Sequence, residues 1–157
     1  MNILIIYASK YGCTADCANK LKNELTGDVT LIDIEKQGQS IMLDKFDTIL
    51  IGGSVYIGKI SKKLRLFCEA NISVLTQKNI GLFLCCALTE QSDEFFTTNF
   101  PAALLSHAKA RSVFGSEARL AQMKFVDKMI IKAVTKGDFS KFKVSDASIA
   151  EFIKEVS

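Results

Sequence analysis

The chain has 157 residues, 48% apolar and 24% charged, with one Pro and no Trp. That is the length of one domain, expected over residues 1–157, with enough chain to bury a core without staples. No apolar run approaches the roughly 18 residues that a membrane-spanning helix needs. The opening "MNILIIYASKYGCT" has no basic segment of the kind a secretion signal carries. Five Cys, at 13, 17, 68, 85 and 86, make an odd number. Reduced thiols in the cytoplasm are expected rather than a secreted disulfide framework.

In chain order, "NILIIYA" (2–8) is a first strand and "CTADCANKLKNELT" (13–26) a helix with Cys17, Leu21 and Leu25 on one side. "VTLIDI" (29–34) is a second strand, and the polar stretch 35–40 leads towards a third, "DTILIGGSV" (47–55). "SKKLRLFCEAN" (61–71) is a helix with Leu64, Phe67 and Cys68 inward, followed by a fourth strand, "NIGLFLCCA" (79–87). "SDEFFTTNFPAALLSHA" (92–108) reads as one helix that Pro101 interrupts or kinks. "ARSVFGSEA" (110–118) is a short fifth strand, and "AQMKFVDKMIIKAVTK" (121–136) is an extra helix. "SDASIAEFIKEVS" (145–157) closes the chain, capped by Ser145 or Asp146. Strands apolar on both faces, separated by helices, make a doubly wound α/β fold with a parallel sheet. Such sheets bind ligands beyond the carboxyl ends of their strands.

Three loops leave those ends. After the first strand, "SKYGCT" contains Ser9, Lys10, Tyr11, Gly12, Cys13 and Thr14. Two hydroxyls, a glycine and the start of a helix suit a phosphate, or simply cap the helix. It is neither "GxxxxGK[ST]" nor "GxGxxG". After the third strand come Ser54, Val55, Tyr56, Ile57 and Gly58, where Tyr56 either stacks on a planar ligand or packs on a neighbouring helix. After the fourth come Ala87, Leu88 and Thr89, whose backbone either meets the edge of a ring or makes an ordinary turn. Together the loops offer a phosphate site, an aromatic platform and a backbone edge, the needs of a mononucleotide with a large flat ring.

Net charge is +3, but from His107 to Lys143 nine basic residues stand against three acidic. Lys124, Lys128, Lys132 and Lys136 form a stripe along the extra helix. Met123, Val126, Met129, Ile130, Ala133 and Val134 form an apolar face. That face either packs on the core or lies on an anionic membrane. His107 is alone and zinc spacings are missing, so no metal is expected. Cys13 starts no phosphatase signature, because Asn19 occupies the Arg position. No Ser-His-Asp arrangement and no nucleic-acid motif is present, so no nucleic-acid partner is expected.

The loop "S-K-Y-G-C-T" resembles the "[ST]-x-T-G-x-T" phosphate loop of the flavodoxin-like family, matching at Ser9, Gly12 and Thr14. "FDTILIGGSVYIGKISKKLRLF" (46–67) resembles the same family. The resemblance implies a five-stranded sheet of order 2-1-3-4-5, helices on both faces, and FMN held by the three loops. Within the family, "A-R-L-x(4)-F-x-D-K-M-I-I-K" (118–132) is similar to the inserted stretch of menaquinone-dependent protoporphyrinogen oxidases. That implies oxidation of protoporphyrinogen IX, a step of haem biosynthesis, with a quinone acceptor and the flavin as the catalytic group. Lys59, Lys62, Lys63 and Arg65 would receive propionates or stay solvated, and helix 121–136 would touch the inner face of the cell membrane. The alternative is an electron-transfer protein docking on a redox partner. A pI near 8.6 is far from the acidic surface such carriers show.

Overall fold

Five apolar runs become five parallel strands: β1 (Asn2–Ala8), β2 (Asp28–Asp33), β3 (Thr48–Ser54), β4 (Asn79–Cys85) and β5 (Ala110–Val113). They lie side by side in the order β2-β1-β3-β4-β5. The computed structural model describes residues 1–37, 40–140 and 142–157. Part of the polar stretch 35–40 therefore lies outside the described residues.

Each central strand is buried on both sides, as its continuous apolar run requires. Leu4, Ile6, Ile49 and Ile51 face a core shared with α2 (Lys62–Ala70), α3 (Ile72–Leu75), α4 (Ser92–Asn99) and α5 (Ala102–His107). Ile3, Ile5, Tyr7 and Phe83 face a second core shared with α1 (Cys13–Glu24) and α7 (Asp146–Val156). The period of two along a strand makes this division. At Gly81 a Cβ would stand 2.8 Å from the Phe152 ring, so the bare backbone is what lets α7 settle on β4. The register sets Ala8 opposite Gly53, and Ser54 opposite Cys85. Three strand ends are thus aligned along one edge of the sheet.

One expectation is decided between its alternatives and two are corrected. The helix over 92–108 is two helices, because Phe100 is extended (φ −120°, ψ 146°). The residue before a proline is driven out of the helical region, and the chain breaks rather than bends. The fifth strand ends at Val113, well short of residue 118. Gly115 turns the chain with φ +83°, where a Cβ would stand 1.9 Å from the Lys143 carbonyl oxygen. Gly115 pairs antiparallel with Val144, and the Ser145 N–H donates to Phe114 O at 2.7 Å. Residues 116–143 therefore leave and rejoin the domain at one point. Ser145 caps α7, its Oγ accepting from the Ser148 N–H at 3.1 Å. The extra helix, α6 (Phe125–Thr135), starts four residues later than its periodicity suggests, after a short 3₁₀ turn over Leu120–Gln122. Among the described residues, no helix is long and apolar enough to cross a membrane.

Candidate functional site

The loop after β1 folds around one hydroxyl. Ser9 Oγ accepts from the N–H groups of Gly12 (3.0 Å) and Ala15 (3.3 Å). Gly12 takes φ +97° and leads into α1 as its N-cap, with no side chain of its own to offer. The N–H groups of Tyr11, Cys13 and Thr14 take no partner among the described residues. Thr14 is fully buried, and its Oγ1 has no hydrogen-bond partner. Unused donors at the positive end of a helix dipole are the makings of an anion site.

The second loop is pinned to the first: the Lys10 N–H donates to Ser54 Oγ at 3.2 Å. Tyr56 and Lys59 then exchange backbone hydrogen bonds at 2.8 and 3.1 Å, closing a tight turn. Ile57 (φ 48°) and Gly58 (φ 74°) are both left-handed, the geometry of a type I′ turn. A β-branched residue is strained there. Buried Asn99 holds the turn, accepting from the Ile60 N–H at 3.0 Å and donating to Gly58 O at 3.0 Å. The third loop is tied to β3 by the Val55 N–H, which donates to Cys85 O at 3.0 Å.

A cavity of about 520 Å³ lies where the loops converge. Ser9, Lys10, Tyr11, Cys13, Ser54, Val55, Tyr56, Ile57, Gly58, Ala87 and Leu88 line it, as the sequence suggests. Gly12 and Thr14 belong to the first loop without lining the cavity. Thr89 opens a 3₁₀ turn, Thr89–Gln91, and does not line the cavity either. Lys59 lines a smaller neighbouring hollow of about 340 Å³, and Lys63 Nζ donates to Gln37 O at 3.2 Å. Neither these two nor Lys62 and Arg65 line the larger cavity.

The excursion over 116–143 supplies two residues that the sequence reading did not single out. Arg119 reaches across to the first loop, its Nη1 donating to Tyr11 O at 3.4 Å. Its Nη2 pairs with Asp16, and with Glu117 at 2.9 Å. The Asp16 hydrogen bond is the largest cause raising its pKa. Asp127, on α6, is 5% exposed. It accepts from the hydroxyls of Tyr11 and Tyr56 and pairs with Lys10 Nζ at 3.2 Å. Lys10 Nζ also stands 3.1 Å from the centre of the Tyr56 ring. These donors, Tyr11 first, hold the Asp127 carboxyl down at about 2. In return the bond to Asp127 pushes the Tyr56 phenol up to about 12. One carboxylate thus latches the inserted helix to both the first and the second loop. Both residues belong to the pattern "A-R-L-x(4)-F-x-D-K", which was the available signal.

The expected apolar face of the extra helix divides. Met123, Ile130 and Val134 line the cavity, together with Ile131. Phe125 is 75% exposed and Val126 64%, and Met129 is also exposed, beside the exposed Lys124, Lys132 and Lys136. No residue of α6 joins either core among the described residues.

A parallel sheet of this order, with three loops around a cleft at its carboxyl edge, defines an α/β nucleotide-binding type of architecture. Residues 4–145 match the Flavodoxin domain family, and the chain belongs to it. No curated protein matches the chain. Among solved structures, it is similar to the rubredoxin oxygen:oxidoreductase of Desulfovibrio gigas, with TM-score 0.58 and 12% identity over 99% of this chain. The likeness takes in 36% of that protein, so the chain spans about a third of its length. It is also similar to oxidised flavodoxin 1 from Bacillus cereus (TM-score 0.54, 20% identity, all of both chains). A third likeness is to a flavoprotein from Lactobacillus acidophilus in complex with FMN (TM-score 0.51, 19% identity). It covers 73% of this chain and 90% of that one. At these identities the likeness is one of fold.

The family implies FMN, and the first loop fits it. A phosphate finds the N–H groups of Tyr11, Cys13 and Thr14 unused and the Thr14 hydroxyl unpaired. The cavity walls are largely apolar and include one aromatic ring on the second loop, Tyr56, as a flat ring requires.

Proposed function

We propose that the chain is an FMN-binding oxidoreductase. The observation that carries this is the buried, unpaired Thr14 hydroxyl beside three unused N–H groups at the start of α1. Leaving a buried hydroxyl unmade costs about 1–3 kcal/mol, a cost that a bound phosphate removes. The hydroxyls of Ser9 and Thr14 and those N–H groups would hold the phosphate. Arg119 would neutralise it, exchanging part of its bonding to Asp16 and Glu117. Tyr56 would lie against the ring, and the backbone of Ala87 and Leu88 would meet the ring edge. When bound, FMN supplies one- and two-electron redox chemistry. The residues of this chain bind it, orient it and exclude water, with Ile130, Ile131 and Val134 as the apolar wall contributed by the insert.

The finer reading is oxidation of protoporphyrinogen IX with a quinone acceptor. It is supported by the pattern over 118–132 and by an insert that closes over the ring cavity. The outward face of α6, with Phe125, Val126 and Met129 exposed beside lysines, suits an anionic membrane from which a lipid quinone is reached. The second reading is an electron carrier docking on a redox partner. A net charge of +3 favours the first, because a chain of positive net charge is not steered as a whole towards a basic partner.

The test starts from the visible spectrum of the purified chain before and after adding FMN. Bound flavin bands with quenched fluorescence are expected. A colourless protein that leaves FMN fluorescence unchanged overturns both redox readings. With FMN bound, turnover of protoporphyrinogen IX by a menaquinone analogue supports the finer reading. Reduction by a partner reductase without such turnover supports the carrier.

A further inference from the structure

Three cysteines whose thiols are given no part in holding the flavin meet behind the first loop. Cys13 begins α1, Cys17 lies one turn further on, and Cys85 ends β4. All three are buried, and their Sγ atoms lie within 4.8 Å of one another. Spacing along the chain gives no hint of this, because the third ligand comes from another strand.

A disulfide is a poor account of the trio. Residues four apart on a helix hold their Cβ atoms about 5–6 Å apart, against the roughly 3.8 Å a disulfide needs. Any one bridge would also leave the third thiol over. Plain packing accounts for Cys68 and Cys86, which stand apart from the trio. It does not account for three thiols converging on one point. Three sulfurs bound to one ion at about 2.3 Å lie about 4 Å apart, so the ring has less than about 1 Å to contract.

We propose that Cys13, Cys17 and Cys85 form a binding site for one thiophilic divalent cation, zinc in the first place. A second hollow of about 470 Å³, lined by Cys13, Cys17, Asp16 and Glu117, reaches the site and leaves room for water as fourth ligand. The carboxylates of Asp16 and Glu117 line it, both already paired with Arg119, and Lys20 and Lys143 beside them oppose a cation, so the sulfurs must supply the affinity. Three thiols lose their protons to solvent as the ion binds. Three thiolates with a divalent ion leave one net negative charge, at the positive end of the α1 dipole. The soft sulfur set selects zinc over magnesium or calcium. Because the ion would sit against the phosphate loop through Cys13, it would fix that loop. The site itself does not depend on the flavin.

The experiment uses the full chain, reduced and metal-free, without FMN. Zn²⁺ is titrated against a chromophoric chelator, and Co²⁺ is added separately as a spectroscopic probe. One equivalent of Zn²⁺ is expected, and Co²⁺ should give an intense sulfur-to-metal charge-transfer band. Cys17→Ser should lose at least ten-fold in affinity, and Cys68→Ser should lose nothing. Failure of the unsubstituted chain to withdraw Zn²⁺ from the chelator overturns the proposal, as does equal affinity in Cys17→Ser. If Cys17→Ser does not fold, the Co²⁺ spectrum of the unsubstituted chain decides. Absence of the charge-transfer band sinks the site whatever FMN does.

Discussion

Arg119 Nη1 stands 2.6 Å from the point a Cβ would occupy on Gly12. The cation of the inserted segment therefore rests on the sharpest bend of the first loop, where Gly12 has φ +97°. The positive φ demands a bare backbone at this position, and any side chain there would also push the guanidinium tip of Arg119 aside. Gly12→Ala strains the loop by about 1–3 kcal/mol and drives Arg119 off it. FMN affinity should fall more than ten-fold, measured by quenching of flavin fluorescence. Unchanged affinity would mean that this loop is not the phosphate cradle.

Thr14→Val separates binding from stability. Thr14 Oγ1 is buried and unpaired in the protein alone, so removing it spares a penalty of about 1 kcal/mol or more. The flavin-free variant should resist urea as well as the parent chain, or slightly better. Its FMN affinity should drop at least about ten-fold, since a hydrogen bond to a charged phosphate is worth about 1.5–3 kcal/mol. A variant that loses stability and keeps its affinity contradicts the assignment.

The latch at Asp127 has two pH limits. Its carboxyl is held down to about 2, below the ordinary value of about 3.9. The stability it contributes is in place above the ordinary value and is lost as pH falls from about 4 to 2. Tyr56 is raised to about 12, above its ordinary 10.0. Its contribution is in place below pH 10 and is lost as pH rises from about 10 through 12. The insert stays latched across the neutral range. A spectrophotometric tyrosine titration checks this: Asp127→Ala should return one tyrosine from about 12 towards its ordinary range.

Ile57 holds φ 48° while 68% exposed. Asn accepts that conformation at less cost, and Asn followed by Gly58 is the favoured type I′ pair. Ile57→Asn should raise stability by about 1 kcal/mol in thermal unfolding. It should also weaken FMN binding several-fold, because the apolar side chain is lost from the cavity wall. Gain in stability with no loss of flavin affinity would remove Ile57 from the site.

Apolar runs with no alternation reveal the three buried central strands, and shorter runs between helical stretches the two edge strands, because burial is recorded residue by residue. The three loops follow from those strands, since a parallel sheet brings its carboxyl ends to one edge. Eleven of the fourteen residues expected from the loops line the cavity for that reason alone. The break at Phe100 was half legible: Pro101 marks the place and drives the residue before it out of the helical region, and the buried Phe100 stands extended there. Arg119, Asp127 and the Cys13, Cys17 and Cys85 trio were decided by tertiary structure. Arg119 lies 107 positions from Gly12, and Asp127 lies 116 from Tyr11 and 71 from Tyr56. Only the return of the chain at Gly115 and Val144 brings the insert back over the loops. No local period records such a fold-back, because it is fixed by a turn and a bridge rather than by repeating side chains.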